Sequence, residues 1–280
     1  MININPFAEL AASIPSSVMQ AYVVLMFLLV IGGTLLDTIH KKSARYFFEN
    51  AKKAQESASR SVSGGEKVSL ALKTVTSEVL TSSEFASPKR RISHLFTMYG
   101  FILFVASTAI LIFGYSSTKD ATAGIWPVLW HLGALMLCFG GYWFWFGIRV
   151  DLASEGNPWN RVVRADMFIL SLLATCTFAL LWSATQGSTA GWIFFTLFIL
   201  SSTILFGGVL WSKFAHMFFK PAAAYQKKIT KADGSRENLP ADFDLTDSAV
   251  QKQFPDIPEY MGNNPPNMGP GIKREAPNHY

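Results

Sequence analysis

Apolar residues run without a charged interruption through five stretches of the chain: residues 18–36, 94–115, 126–148, 167–185 and 192–211. Each approaches the roughly 20 residues with which an α-helix crosses the hydrocarbon core of a bilayer. The runs are continuous rather than alternating. Lipid offers no partner to an exposed backbone amide, so they are expected as helices and not as barrel strands. The fold class expected is all-α: an integral membrane bundle of five transmembrane helices with a cytoplasmic helical loop and a disordered C-terminal tail. The first run reads as a retained span rather than a signal peptide. Residues 1–17 hold no Lys or Arg, the run exceeds a signal h-region, and Lys41 and Lys42 follow it.

Charge then orients the bundle. Five crossings place the N-terminus and the loops near 116–124 and 186–190 on one side, and residues 39–93, 149–165 and 212–280 on the other. Of the 24 Lys and Arg, all but Lys119 fall on the second side. Many adjoin the spans, among them Arg45, Lys89, Arg90, Arg91, Arg149, Arg161, Arg164, Lys213 and Lys220. Basic residues are retained on the cytoplasmic side. The expectation is therefore a multi-pass protein of the cell inner (cytoplasmic) membrane, N-terminus outside and C-terminus cytoplasmic. Residues 1–17 form a periplasmic N-terminus, 18–220 the membrane domain with its loop 41–91, and 221–280 a Pro-rich tail.

Composition agrees. Hydrophobic residues make up 50% of the 280 and charged residues 15%, against about 25% charged in an ordinary soluble domain. A stand-alone soluble enzyme is thereby disfavoured. Two Cys exclude a disulfide framework, an iron–sulfur cluster held by this chain and a structural zinc site. The net charge of +5 is explained by the one-sided distribution of basic residues, and no nucleic-acid partner is expected.

The 41–91 loop carries 11 basic and 5 acidic residues. Val68, Leu72, Val75 and Val79 follow a helical period after the turn signal Ser63-Gly64-Gly65, and residues 43–60 extend the first span, so a helical hairpin is expected. It reads either as a basic amphipathic helix on lipid headgroups or as a docking site for a soluble partner. The tail holds 8 of the 13 Pro and reads as a flexible segment or as one laid across a partner through Phe254, Ile257, Tyr260 and Met261.

No P-loop, HExxH or nucleophile–His–carboxylate spacing is present, so polar residues at membrane depth carry what chemistry there is. His94 opens the second span and His216 closes the fifth, which puts both at the cytoplasmic boundary on different helices. A bis-histidine haem b needs two such opposed imidazoles, and Lys89, Arg90, Arg91, Lys213 and Lys220 lie at the same depth to meet propionates. The other reading is a pair of interfacial histidines turned toward headgroups. His131, beside Trp126 and Trp130, reads as interfacial or as a quinol site. His40 reads as interfacial, or as a supporting or alternate ligand near the haem or part of a quinone site. His279, in the tail, is assigned nothing. Cys138 and Cys176 read as small buried hydrophobes. Residues 142–146, YWFWF, read as an interfacial aromatic belt or a ring-stacking surface. Gly100, Gly140, Gly141, Gly207 and Gly208 offer close helix approach.

The motifs RxxHLxxxYGF at 91–101 and WSKFAHMFF at 211–219 resemble the corresponding helix ends of the nitrate reductase gamma-subunit family of membrane cytochromes b and its relatives. The similarity covers roughly residues 15–225. An Asp before the fourth span, here Asp166, also recurs in such subunits. Lacking a cysteine-rich domain and bearing a long first cytoplasmic loop, the chain looks most like the small membrane anchor that accompanies adenylylsulfate reductase in sulfur-oxidising bacteria. The resemblance implies an electron-transfer subunit, not itself the site of substrate chemistry, linking a cytoplasmic iron–sulfur and flavin oxidoreductase to quinone through haem b. His94 and His216 would be the axial ligands of the iron. The family pattern has a second, outer haem whose ligands would fall near Phe104 and Phe198. Phenylalanine cannot ligate iron, so one haem is expected. The alternative from another class is a haem-free membrane anchor that only docks the enzyme. A transporter is disfavoured because no span carries a midplane charge.

Overall fold

The computed structural model describes residues 2–40, 43–83, 85, 87–117, 122–149, 160–235 and 245–262. Helix α1 (Pro6–Leu10) precedes α2 (Ser16–His40), α3 (Ser43–Glu56) and α4 (Gly64–Thr74), which continues as a π turn over Val75–Leu80. Then come α5 (Pro88–Gly114), α6 (Ile125–Trp143) with a π turn over Phe144–Ile148, α7 (Met167–Ala184), α8 (Thr189–Gly207), α9 (His216–Ala232), α10 (Ser248–Gln253) and α11 (Asp256–Met261). The described residues contain no strand. Five helices, α2, α5, α6, α7 and α8, are long and apolar enough to cross a membrane, and they coincide with the five apolar runs. The protein is an all-α bundle of the multi-pass kind.

Between helices in lipid, the drive to associate comes from close packing and hydrogen bonds rather than from expelled water. The tightest crossing, α5 on α6, shows why. A Cβ built on Gly100 would sit 2.8 Å from the Leu137 amide nitrogen, and one on Gly133 would sit 2.6 Å from that of Phe104. The two backbones touch, and the Ser93 hydroxyl donates to the Gly140 carbonyl at 2.8 Å. Helix α6 is tied to α7 by His131 and Ser183 (2.8 Å) and by Tyr142 and Thr177 (2.9 Å). Helix α2 is peripheral. Only Met19, Met26 and Asp37 of its 25 residues are buried, and it rests on α8 through Tyr22, which donates to the Ile199 carbonyl at 3.1 Å.

The two ends of the bundle are distinct. At one end Asn5 donates to the Tyr115 carbonyl (2.8 Å) and Gln186 to the Pro6 carbonyl (2.9 Å), gathering α1, the end of α5 and the α7–α8 turn. At the other, basic, end Arg149 pairs with Asp166 and lies 4.1 Å from the Trp145 ring centre, latching the end of α6 to the start of α7. This alternation is the one five crossings require.

Helices α3 and α4 form within the loop, as its periodicity predicts, but each packs on α9. The Ser63 hydroxyl caps α4 by accepting from the Glu66 amide (3.2 Å). Glu66 also takes two hydrogen bonds from Arg60, at 3.0 and 2.6 Å, which lower its carboxyl and raise the guanidinium. The pair lies at the surface, with Arg60 exposed and Glu66 partly so, and is of little consequence for stability. Thr74 is buried, whereas Val68, Leu72 and Val75 are 60%, 62% and 48% exposed. The apolar stripe of α4 thus faces outward.

Three boundaries differ from the sequence reading. The fifth helix stops at Gly207, not at 211. Its run looks continuous because Trp211, Phe214 and Met217 are apolar, but Gly208 ends the helix and residues 208–215 turn. His216 accordingly opens α9 rather than closing the fifth span. The tail begins later than 221: residues 221–232 belong to α9, where three consecutive Ala outweigh Pro221. Asp233 then accepts from the Ser59 amide (2.9 Å), and Lys228 reaches Glu78 (3.2 Å). Lys119, His279 and residues 263–280 lie outside the described residues.

Candidate functional site

Two histidines stand at the basic end. His94 sits in the second turn of α5, which begins at Pro88, a residue suited to the first turn because its missing N–H has no helical partner there. His216 is placed by Phe214, which is 2% exposed and plugs the bend after α8. The Phe214 ring lies 5.5 Å from Phe168 of α7, 6.0 Å from Phe206 of α8 and 6.4 Å from Phe101 of α5. The bend is thereby pinned to three spans, and His216 follows two residues later. Its ring stands edge-on to Phe168 at 5.6 Å. The two imidazoles are close enough to interact electrostatically with each other, and Lys220 interacts with His94 in the same way.

Each imidazole has an oxygen at Nδ1. His216 Nδ1 donates to the Lys213 carbonyl. His94 Nδ1 is 3.0 Å from the Ser82 hydroxyl. The Phe85 ring lies 4.8 Å from His94, and Lys220 Nζ stands 5.4 Å over Phe85. Of the other basic residues expected at this boundary, Arg91 donates to the Thr81 carbonyl at 2.7 Å, and Lys89 and Lys213 are exposed.

Toward the middle of the bundle a cavity of about 270 Å³ separates α5 from α8. Phe101, Phe104, Phe198, Phe206, Phe214 and Met217 are among the residues lining it. Phe101 lies two turns from His94 on one face of α5, and Met217 adjoins His216. Half-exposed Phe27 and Phe218 also line it, so it opens at the bundle surface. Deeper still, Phe104 and Phe198 face each other across the gap with ring centres 6.5 Å apart. Trp130 packs on Phe104 at 5.3 Å, Trp182 stacks on Phe198 at 5.8 Å, and Phe7 of α1 covers both indoles. An aromatic plug fills this half of the bundle. The donor types at the basic end are those a bis-histidine haem uses, two imidazoles on separate helices with an oxygen at Nδ1 of each; the aromatic cavity reaches them through Phe101, Phe214 and Met217, and neither histidine lines it.

The remaining sequence candidates lie elsewhere. His131 is buried; its Nδ1 donates to the Pro127 carbonyl (2.7 Å) and its Nε2 accepts from Ser183 (2.8 Å). One nitrogen is spent within α6 and the other on holding α6 to α7. His40 is exposed at the end of α2. Cys176 is buried and Cys138 partly so. In the 142–146 run, Tyr142, Phe144 and Phe146 face outward while Trp145 is buried beneath Arg149. Sequence reasoning passed over Ser82, Phe85, Phe214 and the buried Asp37 of α2. Asp37 had a signal, an acid within a span-length helix. The others act through tertiary contacts that no local pattern encodes. Compared with family models, curated proteins and solved structures, the chain matches none.

Proposed function

We propose that the chain is a membrane cytochrome b-like subunit. It anchors a cytoplasmic oxidoreductase and carries electrons between that enzyme and the quinone pool through one haem b. The observation that carries this reading is the placement of His94 and His216, on two helices, at the basic end of the bundle. The one-sided distribution of Lys and Arg makes that end cytoplasmic and leaves the N-terminus outside.

Haem b supplies one-electron redox chemistry when bound. The chain does the rest. His94 and His216 would hold the iron, and oxygens at their Nδ1 atoms would orient the rings. The aromatic cavity excludes water, and Lys220 stands at the boundary where propionates need a cation. Phe104 and Phe198 close the other half without a ligand, which supports one haem rather than two. Because His131 is spent within the core, the basic side, where His40 is exposed, is favoured for exchange with quinone. The outward stripe of α4, set in a loop rich in Lys and Arg, supports docking of the enzyme there. The resemblance of the helix ends points to adenylylsulfate reductase of dissimilatory sulfur metabolism as that enzyme.

The test is spectroscopic. The purified protein in liposomes, given a quinol, should develop the sharp α band of a reduced b-type haem. No band even with dithionite would leave a haem-free docking anchor as the better reading.

A further inference from the structure

Ser82 has a backbone that needs explaining. It is the one non-glycine among the described residues with a positive φ, 49°, and it is fully buried. An L-residue with a Cβ disfavours that region, and Asn, Asp or Gly usually occupies it. Such a conformation persists where its surroundings fix it, and it collects at functional sites. Here the surroundings are visible. The turn that follows the π segment of α4 is pinned to α5 on both sides of His94: Tyr99 donates to the Leu80 carbonyl and Arg91 to the Thr81 carbonyl, each at 2.7 Å. The Phe85 amide closes the turn on the Ser82 carbonyl at 3.2 Å. What the turn presents is one hydroxyl, 3.0 Å from His94 Nδ1.

Resting on the axial-ligand reading above, we infer that Ser82 is a positioning residue for His94. Its hydroxyl accepts from Nδ1–H and holds the imidazole in the tautomer whose Nε2 lone pair is free for iron. At His216 a main-chain carbonyl does the same work, so both rings carry an oxygen at Nδ1. Only the one at 82 belongs to a side chain. The cytoplasmic loop, and not the span alone, therefore orients this ligand. The same turn continues from the π segment that Lys228 of α9 holds through Ser77 and Glu78, at 3.0 and 3.2 Å.

The experiment uses full-length protein and two variants. Ser82→Gly removes the hydroxyl and accepts the positive φ; Ser82→Ala removes the hydroxyl and keeps the backbone demand. Haem loss to excess apomyoglobin and the haem midpoint potential are measured for each. Both variants should hold haem roughly 10-fold or more weaker, the scale on which partners of metal ligands act, and both should shift the potential. Unchanged retention and potential in Ser82→Gly would overturn the assignment, as would an effect confined to Ser82→Ala, which would trace to the backbone. If the wild-type protein takes up no haem, the axial-ligand reading fails, and nitrogen NMR of histidine-labelled protein decides on Ser82 alone. The His94 signal, identified by its loss in His94→Gln, should be Nδ1-protonated in the wild type and a tautomer mixture in both variants. An Nε2-protonated wild type, or no change in the variants, would overturn it.

Discussion

Histidines at membrane depth divide by what their nitrogens do. His131 spends one nitrogen within α6 and the other on α7, whereas His94 and His216 stand at the boundary, each with an oxygen at Nδ1. His131→Ala should therefore keep any haem band and lower stability by about 1–3 kcal/mol, the cost of leaving Ser183 without its partner. Thermal unfolding in detergent, followed together with the visible spectrum, checks both halves. Loss of the band with retained stability would place the ligand at His131 instead. That residues 94 and 216 fall toward one end was legible in the span count, although His216 opens α9 rather than ending the fifth span as the sequence suggests. So was the opposition of Phe104 and Phe198, which are found ring to ring. Ser82 was not legible, since its value lies in one contact across 12 positions of sequence and in a dihedral angle that Ser rarely adopts.

Elements were legible where lipid dictates them. A backbone in hydrocarbon must satisfy its own hydrogen bonds, so apolar runs and helices coincide closely. The bend at 208–215 escaped because its residues are as apolar as the helices beside it, and Gly207-Gly208 read as a packing feature rather than a stop. The decisive glycine at the α5–α6 crossing, Gly133, carried no more sequence signal than its neighbours. Gly133→Leu has no room against the Phe104 backbone. It should cost on the order of 1–3 kcal/mol or more and separate α5 from α6, read as a lowered melting temperature. A melting temperature equal to wild type would mean that this crossing is loose. The tail is the other element with a clear expectation. Helices α10 and α11 pack against each other, and among the described residues neither makes more than slight contact with a span. Deleting residues 240–280 should leave the protein in the membrane and release much of the docked cytoplasmic enzyme into the soluble fraction. Undiminished co-purification would assign docking to α4 and its exposed stripe.

For the whole molecule, the arrangement joins a basic face that gathers loop, α9 and both histidines to an opposite half closed by aromatic rings. Reporter fusions after Tyr115 and Thr185 should read as periplasmic, and fusions after Ser63 and at the C-terminus as cytoplasmic; a cytoplasmic signal after Thr185 would break the five-crossing order. With that orientation, the proposed single haem would lie near the cytoplasmic face, beside a docked enzyme and far from the outer surface. The most direct measurement is the haem content of the purified chain by pyridine haemochrome, for wild type, His94→Ala and His216→Ala. One haem per chain in the wild type and essentially none in either variant is the expected result. Two haems per chain, or a full complement that survives loss of both histidines, would contradict it.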